Sequence, residues 1–162
     1  MITMYASHMG TELVENEPLR MPTVSGIFET SLYVEHLPRA CAFYQDLFGF
    51  ELIGSPVKED DRLAALRVGE RQVLLLFRQG ASSGAGAAAG HRVLPHDARG
   101  QIHVAFSVAA EDIDSWERRL LHQGLTIERT IDWRPAVRSH YVRDPDGHLV
   151  ELATPGVWGI SW

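Results

Sequence analysis

The sequence predicts an α+β protein built from two βαβββ modules whose strands curl into a cup-shaped, eight-stranded mixed sheet. Three observations lead there. The order strand, helix, three strands occurs twice along the chain. The two copies share a spacing, with 20 residues from Glu29 to Gly49 and 21 from His103 to Gly124. A stretch dominated by Gly, Ala and Ser lies between them and reads as a linker. The expected division is an irregular arm over residues 1–25, a first module over 26–79, a flexible linker over 80–100, a second module over 101–155 and a tail over 156–162.

Each element has a local reason. Glu17-Pro18 and Met21-Pro22 interrupt any regular structure in the arm. Residues 27–34, Ile-Phe-Glu-Thr-Ser-Leu-Tyr-Val, are rich in β-branched and aromatic types and form a strand. Pro38 opens a helix, where its missing N–H costs nothing, and Ala40, Phe43, Tyr44 and Leu47 set one buried stripe. Gly49 ends it. Strands follow at 50–54, 63–68 and 73–77, the last two joined by a turn at Gly69-Glu70. In the second module a strand at 102–108 precedes a helix from about 111 to 123, with Ile113, Trp116, Leu120 and Leu121 as its stripe. Further strands are expected at 125–133, 137–142 and 149–153. Asp144-Pro145-Asp146-Gly147 turns the chain between the last two.

Composition excludes several classes. The 162 residues include 15 Lys and Arg against 21 Asp and Glu, a net charge of -6, so no basic field exists to hold nucleic acid. An apolar fraction of 45% suits a folded core. Apolar runs stop at about five residues, as in Val73–Phe77, too short to span a membrane. The first ten residues have neither a cationic nor an apolar stretch, and Cys41 is the one cysteine, so a reducing, cytoplasmic setting is expected. Cys41 itself reads as a core residue beside the helical stripe.

Period-two alternation sorts the strand residues by face. Glu29, Ser31 and Tyr33 share the cup side, as do His103, Ala105 and Ser107, and Leu149, Glu151 and Ala153. Phe28, Leu32, Val104, Phe106, Val150 and Leu152 face the helices. Ser31, Tyr33, Ser107 and Tyr141 are therefore candidate substrate-binding residues, Tyr141 through hydrogen bonding to a bound anion or else as a half-buried sheet aromatic. Glu29 and Glu151 are candidate acid–base residues, because a carboxylate inside a cup titrates nearer neutrality unless a cation compensates it. Elsewhere, Gly84–Gly90 follows a strand but lacks the residues of a phosphate loop. His91, His96 and Asp97 fit a solvated loop or a lid. Trp158 and Trp162 are expected to cover apolar surface on this chain or a partner.

The segments Leu32-Tyr33-Val34, Ala42–Phe50 (Ala-Phe-Tyr-Gln-Asp-Leu-Phe-Gly-Phe) and Asp144–Glu151 (Asp-Pro-Asp-Gly-His-Leu-Val-Glu) resemble the vicinal oxygen chelate superfamily of glyoxalases, bleomycin-resistance proteins, fosfomycin-resistance transferases and extradiol dioxygenases. The resemblance runs from about residue 26 to 155. It implies metal ligands on the first and last strand of each module, which fall at Glu29, His103, Glu151 and Leu74 or Leu75. Leucine cannot ligate, so the implied set is one imidazole and two carboxylates. Such a set suits Mn, Fe(II), Zn, Ni or Mg, with open positions for a substrate bearing two adjacent oxygens.

Two functions from different classes follow from that resemblance. One is a divalent-metal enzyme acting on a small molecule as a lyase, isomerase, transferase or dioxygenase. The other is a metal-free protein that sequesters an antibiotic or metabolite, as the bleomycin-resistance branch does. Departures narrow the first. Dioxygenases of the family use two His and one Glu, glyoxalase I uses a fourth ligand, and fosfomycin transferases follow the last strand with cations, whereas Thr154–Trp158 here has none. The resemblance also implies a homodimer in which Glu29 of one chain meets His103 and Glu151 of the other.

Overall fold

The structure, a computed structural model, describes residues 21–84, 86–88 and 91–160. Most of the expected arm, the side chain of His91 and Trp162 lie outside the described residues. The elements are β1 (Glu29–Val34), α1 (Leu37–Phe48), β2 (Glu51–Ile53), β3 (Leu63–Val68), β4 (Gln72–Arg78), β5 (Gly86–Ala88), β6 (His91–Val93), β7 (His103–Ser107), α2 (Ile113–His122), β8 (Arg129–Arg134), β9 (Val137–Arg143) and β10 (Leu149–Ala153). A 3-10 turn at Ala110–Asp112 leads into α2.

The eight long-module strands divide into two four-stranded sheets of identical topology, β1-β4-β3-β2 and β7-β10-β9-β8. In each, the first strand lies parallel to the last, and the intervening helix makes the crossover. The internal repeat is thus a repeat of connection as well as of spacing. The region expected to be a linker carries a small antiparallel hairpin, β5 with β6.

Three local expectations are corrected. Phe28, expected on the helix-facing side, is 70% exposed, because β1 begins at Glu29 and no described element covers the residue before it. Leu121 leaves the buried stripe of α2, whose core contacts come from Ile113, Trp116 and Leu120. Residues 125–128 are not strand. Their backbone is drawn to the end of α2, where the Leu125 amide donates to the Leu120 carbonyl, before the Glu128 amide reaches the Tyr141 carbonyl.

One apolar core serves both modules. Leu32, Tyr44, Leu66 and Leu76 from the first sheet and its helix join Leu120, Val142 and Leu152 from the second. An aromatic seam crosses between them, with Phe48 against Phe106 at 5.1 Å and against Trp116 at 5.6 Å between ring centres. Cys41 is buried, and burial raises its thiol pKa, in keeping with a packing role.

Polar contacts fix the second module to the first around the Asp144–His148 turn. The buried Asp144 carboxylate accepts from the amides of Asp146 and His148, and its other oxygen accepts the Tyr44 hydroxyl at 2.9 Å. Asp146 accepts from the Glu35 amide at 2.7 Å and pairs with Arg39. His148 accepts the Ile102 amide at Nδ1 and so donates from Nε2 to the Tyr33 carbonyl at 3.0 Å. On the far side, Arg119 donates to the carbonyls of Leu47 and Asp46, capping the end of α1.

Two stability measurements follow. Tyr44→Phe leaves a buried carboxylate one donor short and should cost about 1.5–3 kcal/mol in urea unfolding, with the fold retained. The second concerns His140 on β9, which is fully buried and bonded at Nδ1 to Thr130 at 2.8 Å. Its Nε2 has no hydrogen-bond partner, and Glu117 lies 4.0 Å away. Burial holds its pKa below the usual value, despite the carboxylates of Glu117, Asp114 and Asp132 around it. The unfolded chain therefore takes up this proton near pH 6.5, before the native state does, and stability is lost as pH falls below about 6.5. Comparing unfolding midpoints at pH 7.5 and 5.5, His140→Gln should show a shallower loss than wild type; an equal loss would exclude His140 as its source.

Candidate metal site on the open face of the second sheet

Strand alternation places His103 and Glu151 on one face, and the sheet register brings them together. His103 pairs with Leu149 across parallel strands β7 and β10, so Glu151 lies one pleat further along. Its carboxylate oxygen Oε2 sits 3.2 Å from His103 Nε2. Glu151 is 7% exposed, whereas the imidazole is about half exposed at 49%. The pair thus has a sheltered carboxylate and an accessible nitrogen.

The remaining hydrogen bonds fix the chemistry of this contact. His103 Nδ1 lies 3.2 Å from the Leu149 carbonyl, which only accepts, so Nδ1 carries the proton. In the neutral imidazole, Nε2 then presents a lone pair to a carboxylate oxygen. Two lone pairs at 3.2 Å repel unless a proton or a cation lies between them. Tyr141 donates to the other carboxylate oxygen at 2.8 Å and stacks beside the His103 ring. Burial, then the hydrogen bond to Glu151 and its charge, push the Tyr141 pKa up to about 12, so at neutral pH it is a donor. This nitrogen–oxygen set, oriented by a carbonyl and a phenol behind it, fits a borderline divalent cation.

The other sequence candidates are distributed differently. Glu29 is exposed, and among the described residues it pairs with no cation and no group of three His, Cys, Asp or Glu could hold a metal ion. A small cavity of about 130 Å³ sets Glu29 beside Val104, Ala105 and Phe106 of β7. The register settles the fourth family position. Glu151 pairs with Ala105, two residues after His103, and the equivalent partner of Ser31, two after Glu29, is Leu75. Leu74 faces the core instead and is 1% exposed. Ser31 and Tyr33 are half-buried on the open face of the first sheet. Tyr33 hydrogen-bonds His96 at 2.6 Å and stacks on Phe77, so one linker histidine docks on this sheet. Ser107 lies on the same face as His103.

Ser107 and Glu151 also line a cavity of about 480 Å³ with Ala153, Val157, Trp158 and Ile160. The tail's place in this wall was not assigned from sequence. The expectation that Trp158 covers apolar surface is corrected: it lines this cavity but is 84% exposed, because no described element packs over the turn that carries it. The role of Tyr141 is half legible: the sequence makes it a hydrogen-bond donor to a bound anion or a half-buried sheet aromatic, and the structure gives its hydroxyl to Glu151.

The chain belongs to the Glyoxalase/Bleomycin resistance protein/Dioxygenase superfamily, whose family model matches residues 26–152. Its fold is that of the vicinal oxygen chelate proteins. Among particular relatives, a lactoylglutathione lyase structure from Agrobacterium tumefaciens is 35% identical with a TM-score of 0.75, covering 86% of this chain and all (100%) of that one. The metallothiol transferase FosB of Shouchella clausii is 26% identical over 140 residues, 81% of each chain. The fosfomycin resistance protein FosX of Listeria monocytogenes is 25% identical with a TM-score of 0.57, covering 82% of this chain and 94% of that one. No described helix is long and apolar enough to cross a membrane.

Proposed function

We propose that this protein is a vicinal oxygen chelate enzyme that holds a divalent metal ion through His103 and Glu151 and acts on a small molecule with adjacent oxygens. The observation that carries the reading is the facing Nε2 and Oε2 pair at 3.2 Å, whose imidazole proton is already committed to the Leu149 carbonyl. When bound, the metal supplies Lewis acidity for negative charge developing on the substrate oxygens. Tyr141 keeps Glu151 in its orientation, and the half-exposed His103 leaves the site open to solvent and substrate. The enzyme names borne by the lyase and transferase relatives support the class.

Glu29 is proposed as the third donor, supplied by a second copy. β1 and β7 are edge strands of their sheets. The other two edges are guarded: β2 has three residues, and β8 is bulged between Asp132 and Arg134. His148 occupies the far end of the β1 edge at the Tyr33 carbonyl, and the stretch beginning at Glu29 lines a small cavity with β7 residues of its own chain. Ile27 and Phe28 beside it are 71% and 70% exposed. Pairing β1 of one copy with β7 of another would cover that surface and bring Glu29 toward His103. A metal-free binding protein is the second reading, favoured by Leu75 at the fourth position and by only two donors converging among the described residues.

The metal reading is tested by titrating Mn²⁺ into chelator-stripped protein by calorimetry. His103→Ala and Glu151→Ala should each weaken binding by about 100-fold or more, and Tyr141→Phe by roughly 10-fold, as for a partner behind the ligand. Absence of binding to wild type would favour the sequestration reading. The shared site is tested by light scattering and by mixing. The protein should have twice the 18.1 kDa chain mass. Glu29→Gln and His103→Ala chains, each deficient alone, should regain Mn²⁺ binding on co-refolding, because one site of the heterodimer then keeps both native residues. No recovery would place the site within one chain.

A further inference from the structure

The described part of the C-terminal tail, up to Ile160, folds into a hydrogen-bonded turn. Gly156 and Ile160 close a turn, with the Gly156 amide donating to the Ile160 carbonyl at 2.9 Å and the Gly159 amide to the Gly156 carbonyl at 2.9 Å. Gly156 has a φ of 100°, and a side chain there would press on Arg134 at 3.0 Å, so only glycine fits. Arg134 donates to the Gly156 carbonyl and ties the turn to β8. The Thr154 hydroxyl accepts from the Arg138 amide at 2.9 Å and anchors the tail's start. From this turn Val157, Trp158 and Ile160 face the 480 Å³ cavity that contains Glu151.

We propose that Trp158 is a specificity-determining residue, and that the cavity takes an apolar, ring-bearing molecule rather than a phosphonate or other compact polyanion. Trp158 is 84% exposed and Ile160 57%, a large aromatic surface held in water by an ordered turn. A flat apolar ligand would bury it by stacking. The rest of the lining agrees: Ile27, Phe106 and Ala153 are apolar, while Gln72, Ser107 and Thr154 give uncharged polar contacts. Among the described residues lining the cavity there is no Lys or Arg, and the only charged one is Glu151, which disfavours an anion. The volume, about 480 Å³, is that of a drug-sized ligand pocket, well beyond a three-carbon acid.

The proposal shares Glu151 with the proposed metal site but does not need the metal for the apolar wall, and the experiment separates the two. Three probes are titrated into the full chain by calorimetry, with and without Mn²⁺: 2,3-dihydroxynaphthalene, 2-naphthol and methylphosphonate. The expected result is binding of both naphthalenes, tighter for the diol only when Mn²⁺ is present, and none of methylphosphonate. Trp158→Ala should weaken 2-naphthol by about 10-fold, Trp158→Phe by less than about 3-fold, with Mn²⁺ affinity unchanged in both. Equal 2-naphthol affinity in wild type and Trp158→Ala, or preferential binding of methylphosphonate, would overturn the proposal. So would conversion of a dimer to a monomer by Trp158→Ala, which would make the tail an interface between copies. Failure of Mn²⁺ to bind wild type while 2-naphthol still responds to Trp158 would remove the metal reading alone. The residue lies outside the core, so circular dichroism should report an unchanged fold.

Discussion

The hydroxyl of Tyr44 and the carboxylate of Asp144 meet in the interior, and the arrangement of the two modules depends on that contact. A buried carboxylate is costly unless its lone pairs are filled. Here two amides of its own turn fill one oxygen and a phenol from the other module fills the second. The second oxygen is therefore satisfied by this phenol only when α1 is in place against the turn. Burial together with the neighbouring Asp144 charge raises the Tyr44 pKa far above its ordinary value, so the phenol stays a donor. From this point the other joints radiate: Asp146 to the start of α1, and His148 to the end of β1. The same turn delivers the chain into β10, and so sets where Glu151 stands.

The two sheets share a topology but not a chemistry. In the second, the family positions hold His103 and Glu151 with Tyr141 behind them. In the first, the corresponding places are Glu29 and Leu75, and the same face is occupied by Tyr33, Phe77 and the docked His96. The same framework carries paired polar donors on one sheet and an aromatic cluster on the other. The polar side chains are accordingly arranged asymmetrically within a chain, while the backbone that presents them is nearly a repeat.

Much of this was legible in the sequence because the signals were local. Alternation in Ile102–Val108 and Leu149–Ala153 is sufficient to put His103 and Glu151 on one face. The fold class follows from two strand–helix–strand blocks of equal spacing. Boundaries failed where tertiary hydrogen bonds overrode apolar pattern: Leu125 and Ile127 look like strand residues, but the end of α2 claims the backbone there. Phe28 looked buried because periodicity knows nothing of where a sheet stops. The choice between Leu74 and Leu75 could not be made from sequence at all, since a one-residue slip in register exchanges the two faces. The clasp around Asp144 was read only as a turn, because its partners Tyr44, Arg39 and Tyr33 lie about a hundred residues away in the chain.

The proposed pairing of the β1 and β7 edges between copies would have a consequence for assembly at large. A rigid body with two complementary sticky edges has two fates. If the angle between the edges lets the second contact fall back on the first partner, the pair closes by a two-fold axis and no edge remains. If the angle is wrong, each added copy leaves a fresh edge, and the contact propagates into an open fibre. In this chain that angle is held by the Asp144 turn and the aromatic seam between the modules. Under the proposed pairing, loosening either joint would do more than lower the melting point. It would change which of a closed pair or an endless array the same two edges specify.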